Sequence, residues 1–531
     1  MRKLQDNIAE ILIVGAGPTG LMMACQLAIH QIPFCIIDKN ESSSKSSGAL
    51  IVQARSLEIF EQMGIAREAL KGGIIANKLN VIFNGKKLTS TDIKDIGGNL
   101  SKFPYLLMHE QSKTEKLLLK FINSHGHNVE RGIRFKSLIQ DKEGVISVLV
   151  LPDESEQSIR TKYVIAADGA NSTIRNFLNI PFKGKTYPNP IFILDCKAET
   201  EIAPGEICIA FSKSSVAGIF PLPGNRWRID GNLPEEAEML ENITFDNIEK
   251  DFHLWTKINI TFLHKEWFSI SHAHQKYATS INVQNCFLLG DAAHLNSPVG
   301  AQGMNTGLQD AYNLAWKIAF VIQHKAKPEL LVTYSTERLG ISKGFAHYAD
   351  TVFKLVTSKN VAVKFFRLYI LKELLKVLFQ LMEKRRTVRQ MFFKSISQID
   401  IHYRHSILSY KASEGHFSRS TPKPGDRFPY IDFYLMARKT NNYANLDVAD
   451  FNLVVLSNIL SDEINKITKK YNLAVIMIAY LPETKKLYER LGIKNKGYYL
   501  IRPDMHIALR SATLDIFHLN NYLERFLLVN S

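Results

Sequence analysis

Ile11-Leu12-Ile13-Val14-Gly15-Ala16-Gly17-Pro18-Thr19-Gly20 is the stretch whose reading decides the fold. Four apolar residues run without interruption into a glycine loop, the pattern of a buried strand that stops abruptly. Beyond the loop Leu21, Ala24, Cys25, Leu27 and Ala28 recur at helical spacing and predict a helix over Leu21–His30. Pro33 marks the next turn, and Phe34–Ile37 reads as a second apolar strand ending at Asp38. Such a strand–helix–strand unit belongs to a parallel sheet with a right-handed crossover. Within it Gly15 permits the tight turn, Gly17 lets the backbone approach a pyrophosphate, and Gly20 lets helix and strand pack closely. Pro18 and Thr19 open the helix, whose N-terminal N–H groups and partial positive charge face the phosphates. Asp38, with Lys39 beside it, is placed to meet the ribose hydroxyls. The unit predicts an adenine dinucleotide and does not choose between NAD and FAD.

Two further strand ends make that choice. Tyr163–Ala167 leads into Asp168-Gly169-Ala170-Asn171-Ser172, with Arg175 close behind. Cys286–Leu289 leads into Gly290-Asp291-Ala292-Ala293-His294, then Ser297-Pro298-Val299-Gly300-Ala301-Gln302-Gly303-Met304-Asn305 and a helix predicted over Gly303–Gln323. An aspartate at a strand end is suited to hold the ribityl chain of a flavin. A Pro/Gly-rich loop entering a helix presents backbone N–H groups to the flavin ring, and the helix dipole stabilises the charge that the reduced ring carries near N1. With all three constellations in this order, the chain resembles the FAD-dependent aromatic hydroxylases, the flavoprotein monooxygenases of the p-hydroxybenzoate and phenol hydroxylase group. The likeness continues through Gln309-Asp310-Ala311 and Leu314-Ala315-Trp316-Lys317. It extends to Gln53-Ala54-Arg55-Ser56-Leu57-Glu58 after a serine-rich loop, to Gln111 with Thr114-Glu115, and to Pro221-Leu222-Pro223 before Trp227-Arg228.

The resemblance implies an α/β fold with a Rossmann-like FAD-binding domain in two parts, residues 1–180 and 277–400, the second running into a helical tract. Residues 181–276, where short alternating runs replace helical periodicity, would form an inserted antiparallel substrate-binding sheet. Residues 401–531 would form a thioredoxin-like domain, edged by Pro424-Gly425-Asp426-Arg427 and Leu500-Ile501-Arg502-Pro503-Asp504, and within it the Pro/Gly-bearing Ser418–Phe428 reads as a linker ahead of the strands predicted from Phe451 onward. The resemblance further implies that NADPH or NADH reduces the FAD. Oxygen then adds to the flavin, and the hydroperoxide hydroxylates a small phenolic or polycyclic aromatic substrate. The glycine loop, Asp38, Lys39, Arg55, Gln111, Asp168, Asp291 and Gly303-Met304-Asn305 would bind the cofactor, with Asp291 on the ribityl chain and the Pro298 loop beside the ring. No side-chain nucleophile is required. His109, His264, His272, His274 and His294 are formal candidates for a base that ionises a phenol, and only His294 lies inside a flavin motif, where a structural role is expected. Phe192, Phe211, Ile219 and Phe220 are candidates for a pocket wall or for ordinary core.

Two positions depart from the pattern. Gly48 stands where relatives carry a basic residue, with Lys45 as the nearby substitute, and Ser271-His272-Ala273-His274-Gln275 lacks an arginine found in many relatives. An epoxidase or a reductase on the same scaffold is the alternative reading. Trp227, Trp255, Trp267 and Trp316 make none of the closely spaced pairs of the halogenases.

Bulk properties narrow the remaining classes. Among 531 residues 46% are hydrophobic and 22% charged, which excludes a disordered or fibrous chain. At ~100–200 residues per domain the length supports three or four units. Lys and Arg outnumber Asp and Glu by 66 to 51, a net charge of +15. The densest basic run, Glu383-Lys384-Arg385-Arg386 with Arg389 and Lys394, reads as a solvated helix face, and without a zinc-finger or RNA-recognition signature no nucleic-acid partner is expected. Cys25, Cys35, Cys196, Cys208 and Cys286 are odd in number and make no CxxC, which predicts neither a disulfide framework nor a metal site and fits the cytoplasm. The N-terminal Met1–Glu10 does not read as a signal peptide. Val361–Met382 is broken by Lys364, Arg367, Lys372, Glu373 and Lys376, so no transmembrane segment is expected. A homodimer remains open.

Overall fold

In the computed structural model, which describes residues 9–43, 48–212, 216–233, 244–296, 302–358, 360–410, 416–435 and 438–529, the strand Ile11–Val14 lies inside a six-stranded sheet. It pairs in parallel with Tyr163–Ala166 on one side and Phe34–Asp38 on the other. Cys286–Leu288 runs parallel beyond Tyr163–Ala166. The four strands therefore end at one edge, and all three sequence motifs emerge there side by side. Ile11, Leu12, Ile13 and Val14 are all buried, as expected for a parallel strand covered on both faces. The helix after the loop is Pro18–Ile29, three residues longer at its start than the periodicity predicts, because Pro18 fits the first helical turn where its missing N–H is no loss.

A second, eight-stranded sheet stands over that edge. Its centre is two long antiparallel strands, Phe182–Thr200 and Ile260–Ala278, followed outward by Arg226–Asn232, Val216–Leu222 and Glu206–Phe211. The antiparallel sheet expected over 181–276 is present, and it recruits strands from outside that span. Lys78–Phe83 pairs in parallel with Glu206–Phe211, Lys86–Asp92 forms a hairpin on it, and His294–Leu295 pairs with Ile260–Ala278. These additions were not legible, because Lys86–Asp92 carries little apolar alternation and pairs only through tertiary contact. A helix not foreseen in this region, Phe245–Thr256, begins at a capping box between Thr244 and Asn247 and buries Phe245, Ile248 and Phe252 against the sheet.

The predicted long helix is Gly303–Ile322, buried from Met304 to Phe320. One end of it joins two cores: Trp316 and Phe320 pack edge-on against Phe451 of the C-terminal unit. That unit has Asn452–Leu456 parallel to Ala474–Ile478, joined through the helix Asp462–Tyr471, then an antiparallel hairpin of Gly497–Ile501 and Ile507–Ser511, and a closing helix Phe517–Phe526. Ser418–Phe428, read as a linker, is exposed at Ser418, Arg419 and Ser420 and packed at its later part. Phe428 is fully buried, Arg427 ion-pairs with Glu58 at 2.9 Å, and Gly425 adopts φ +89° against the backbone of Tyr403 and Arg404. Its Pro and Gly content reflects tight turns pressed onto the body of the protein. Among the described residues no helix is long and apolar enough to cross a membrane.

Candidate active site

The glycine loop separates into residues that the fold requires and one that it does not. Gly15 has φ +103°, and a Cβ there would strike the backbone of Ala167. A Cβ on Gly20 would collide with the carbonyl oxygen of Gly15. Gly17 has ordinary backbone angles, φ −74°, and a Cβ there would meet nothing within 4 Å. The chain leaves a space at Gly17, at the start of a helix with no side-chain cap. Uncapped N–H groups beside an open glycine are an anion cradle of the right kind for a pyrophosphate. Asp38 ends the neighbouring strand, and its carboxylate accepts from the N–H of Ala16 at 2.7 Å and of Asn40 at 2.8 Å, so it shapes the loop itself. Lys39 is exposed.

The other two strand ends present carboxylates to the same edge. Asp168 accepts through one oxygen from the N–H groups of Thr173 (2.7 Å) and Ile174 (3.2 Å), while its Oδ1 is buried without a partner. Burial raises its pKa against those hydrogen bonds. Asp291 is exposed to the open cleft, and desolvation by the surrounding protein raises its carboxyl against the pull of His294. The Gly303–Ile322 helix starts beside Asp291 with no side-chain cap, and a Cβ on Gly303 would also meet nothing within 4 Å. Two uncapped helix starts, two open glycines and an unpartnered carboxylate oxygen are what a flavin dinucleotide requires, so the residues present fit FAD.

Between these elements and the second sheet lies a cavity of about 470 Å³. Leu50, Ile51, Leu79, Ile193, Ile207, Ile209 and Phe220 form its apolar wall, joined by Phe392 and Ile396 from the helix Arg386–Ser397. Gln111, Asp291, Gln302, Gly303 and Met304 line the opposite side. Strand alternation explains how the sheet contributes: Trp227 and Ile229 point into the core behind it, while Asp230 faces the cavity. Arg228 is held by both oxygens of Asp195 at 2.7 Å and donates to the carbonyl of Gly48 at 3.0 Å. A guanidinium thus reaches, from the sheet, the segment where relatives carry a basic residue. Burial pushes Asp230 up to about 7 against the attraction of Arg228, with Asp195 adding to the rise. Asn296 also lines the cavity, and its Nδ2 has no partner.

Several residues expected at the cofactor have other duties. Arg55 is buried with Glu58 at 3.1 Å, donates to the carbonyl of Asp504 at 2.8 Å and lies over the Tyr312 ring, so it faces the C-terminal unit. The helical register of Ala54–Gln62 turns it away from the cleft. Asn305 accepts from the N–H of Gln53 (2.9 Å) and the hydroxyl of Ser56 (2.8 Å) and donates to the carbonyl of Ile51 (2.8 Å), clamping the serine-loop strand rather than presenting its amide to a ligand. The Thr19 side chain wedges against Gly290 and Gly307, tying the first motif to the third. Gln111 accepts from the N–H of Ala49 at 2.9 Å and keeps an edge on the cavity. Pro298 and Lys45 lie outside the described residues.

None of the five candidate histidines lines the cavity. His294 bonds Asp310 at 2.6 Å, a structural contact as expected. His109 bonds Thr114 at 2.8 Å, and burial, aided by Lys113, lowers it to about 4. Phe220 is the only one of the four apolar candidates on the cavity wall. Phe192 and Ile219 belong to the core behind the sheet, and Phe211 stacks on Phe83. Gln302 stands in the third motif, whereas Asp230, Asn296, Phe392 and Ile396 carried no signal in the sequence beyond their polarity or helical spacing.

Residues 8–348 match the FAD binding domain family. The chain is 30% identical over 353 residues to the pentachlorophenol 4-monooxygenase of Sphingobium chlorophenolicum, covering 64% of this chain and 63% of that protein. It is 28% identical over 523 residues to the 6-methylpretetramide 4-monooxygenase of Streptomyces rimosus, covering 94% of this chain and 90% of that protein. The fold superposes on the flavin-dependent monooxygenase PieE in complex with FAD and substrate (TM-score 0.78, 19% identity, 98% of each chain). It also superposes on the ternary complex of aklavinone-11 hydroxylase with FAD and aklavinone (TM-score 0.74, 20% identity, 99% of each chain). With the three motifs gathered at one sheet edge, the chain belongs to the FAD binding domain family and is a flavin-dependent monooxygenase.

Proposed function

We propose that the protein hydroxylates a phenolic or polycyclic aromatic substrate, with NADPH or NADH as electron donor and molecular oxygen as co-substrate. The observation that carries this reading is the apolar cavity of about 470 Å³ where the motif-bearing edge meets the second sheet. FAD, when bound, supplies the redox chemistry that activates oxygen. The open backbone at Gly17 and the first turn of Pro18–Ile29 would hold the pyrophosphate, Asp38 the ribose, Asp291 the ribityl chain, and the start of Gly303–Ile322 the ring. Ile193, Ile207, Ile209 and Phe220 exclude water from the reacting face. Asp230 and Asn296 supply an acceptor and a donor for oxygen substituents on the ring system. The relatives' names favour hydroxylation over epoxidation or reduction. We read the C-terminal unit as thioredoxin-like from its strand–helix–strand, hairpin and closing helix; every cysteine of the chain precedes it, so it has no exchange chemistry. Five free cysteines suit a reducing cytoplasm. The test follows NAD(P)H consumption by the FAD-loaded protein over a panel of phenols and polycyclic aromatics while peroxide is assayed. Stimulation with little peroxide and a product heavier by one oxygen supports the reading; uniform lack of stimulation despite bound FAD overturns it.

A further inference from the structure

Two acids line the cavity among the described residues, Asp230 and Asp291, and of these Asp230 sits on the sheet. It lies on the strand Arg226–Asn232, paired with Ile193 and Gly218 of the flanking strands, and alternation sends its carboxyl toward the cavity. It makes no side-chain hydrogen bond with any described residue, and its Oδ1 is buried without a partner. Arg228 attracts the Asp230 carboxyl without a hydrogen bond to it: its guanidinium gives two hydrogen bonds of 2.7 Å to Asp195 and another to Gly48. A buried carboxylate oxygen without a hydrogen bond is costly, and natural interiors avoid it unless a ligand completes it. Around it Ile193, Ile207, Ile209 and Phe220 offer no polar partner, so among the described residues its Oδ1 is left for a group on a molecule in the cavity.

We propose that Asp230 is a catalytic residue that takes the proton of a ring hydroxyl on the aromatic substrate, in the hydroxylation reading given above. The substrate O–H bond breaks, the proton passes to a carboxylate oxygen of Asp230, and the electron pair stays on the phenolic oxygen. Negative charge moves from carboxylate to ring oxygen with no net change inside the cavity. The ring becomes the more electron-rich partner for oxygen transfer, and Asp230 returns the proton to the product. The carboxyl is pushed up to about 7, first by burial, which matches it to a phenolic hydroxyl better than an ordinary aspartate. The charged groups that face it are Arg228 on its own strand, Asp195 on the adjacent strand and Asp291 across the cavity.

The experiment uses FAD-loaded full-length protein with 2-hydroxyanthraquinone, whose colour reports ionisation of its hydroxyl, and 2-methoxyanthraquinone, which has no proton to give. The expected result is at least about tenfold tighter binding of the hydroxy compound, a bound spectrum of the ionised form at pH values where the free compound is neutral, and loss of both in Asp230→Asn at unchanged FAD content. Equal binding of the two compounds by the unaltered protein, or an Asp230→Asn protein whose bound spectrum and pH profile match the unaltered one, overturns the assignment. The comparison of the two compounds needs no variant and so survives a failure of Asp230→Asn to fold. If the unaltered protein binds neither compound and no hydroxylated aromatic stimulates NAD(P)H consumption, the hydroxylase reading itself fails and this assignment falls with it.

Discussion

Two of the places where the molecule buries charge are built differently. At the junction with the C-terminal unit, Lys317 pairs with Glu337 at 2.7 Å, Arg502 spans Glu337 (2.6 Å) and Asp504, and Arg427 and Arg55 share Glu58. Asn313 donates to both Glu337 and Asp504, so the acids are held from several directions. In the cleft, among the described residues, Asp168 keeps an oxygen without a partner, the Asp230 carboxyl makes no hydrogen bond, and the Asn296 Nδ2 donates to none. A satisfied network completes itself and holds two units together; an incomplete one awaits a ligand. The contrast explains why Arg55, which stands in a family-like motif, belongs to the junction, while Asp230, which stands in none, belongs to the site.

The comparison breaks most sharply at the glycines. Gly17→Val should abolish FAD retention, read from flavin absorbance of the purified protein, and leave the thermal unfolding midpoint within a few degrees, because its side chain enters open space. Gly20→Val should fail to accumulate as folded protein, because its Cβ meets the Gly15 carbonyl. A Gly17→Val protein with a normal flavin spectrum would show that the space at Gly17 is not a cofactor site.

At the junction, Glu337→Gln leaves Lys317 buried without its acid and Arg502 with Asp504 alone, and should destabilise the protein by ~3–5 kcal/mol in urea unfolding, with FAD content per folded molecule unchanged. The same carboxyl predicts acid sensitivity. Burial works to raise its pKa, and Arg502 and Lys317 overcome that and hold it well below the usual range. Its folded-state pKa is depressed, so its stabilisation is full above the unfolded value of about 4.3 and is lost as pH falls below it. Between pH 6 and 3 the stability of the unaltered protein should fall more steeply than that of Glu337→Gln; parallel slopes would remove Glu337 from the account.

Asp291→Ala should weaken FAD binding by about ten- to a hundredfold, the ~1.5–3 kcal/mol of a hydrogen bond to a charged group, with little change in unfolding; full flavin content would sink its assignment to the ribityl chain. Smallest of all, Lys39→Ala should change FAD affinity by no more than about twofold, because its exposed charge is screened by solvent. A larger loss would move Lys39 into the site.

Much of the site was legible because it is local. Gly15, Gly17 and Gly20 declare themselves by spacing, and each motif aspartate by its place at the end of an apolar run. Arg55 faces the C-terminal unit because a motif shows only that a residue sits near a site, and the register of its helix shows which way it points. Asp230 escaped because Trp227-Arg228-Ile229-Asp230 is ordinary strand alternation, and nothing in it says whether its polar face meets water or a closed cavity. Phe392 and Ile396 escaped because they arrive from a helix remote in sequence from every motif.

By itself the sequence determined the parallel nucleotide sheet, the identity of the cofactor and the class of chemistry, because glycine geometry, strand burial and helix starts depend on neighbours within a few residues. The tertiary structure alone decided which sheet face closes the cavity, that Lys78–Phe83 joins the second sheet, that the later part of Ser418–Phe428 is packed, and which buried acid is left without a partner. Those outcomes depend on desolvation and on pairing between segments far apart in the chain, and the free energy of a buried charge is set by everything packed around it.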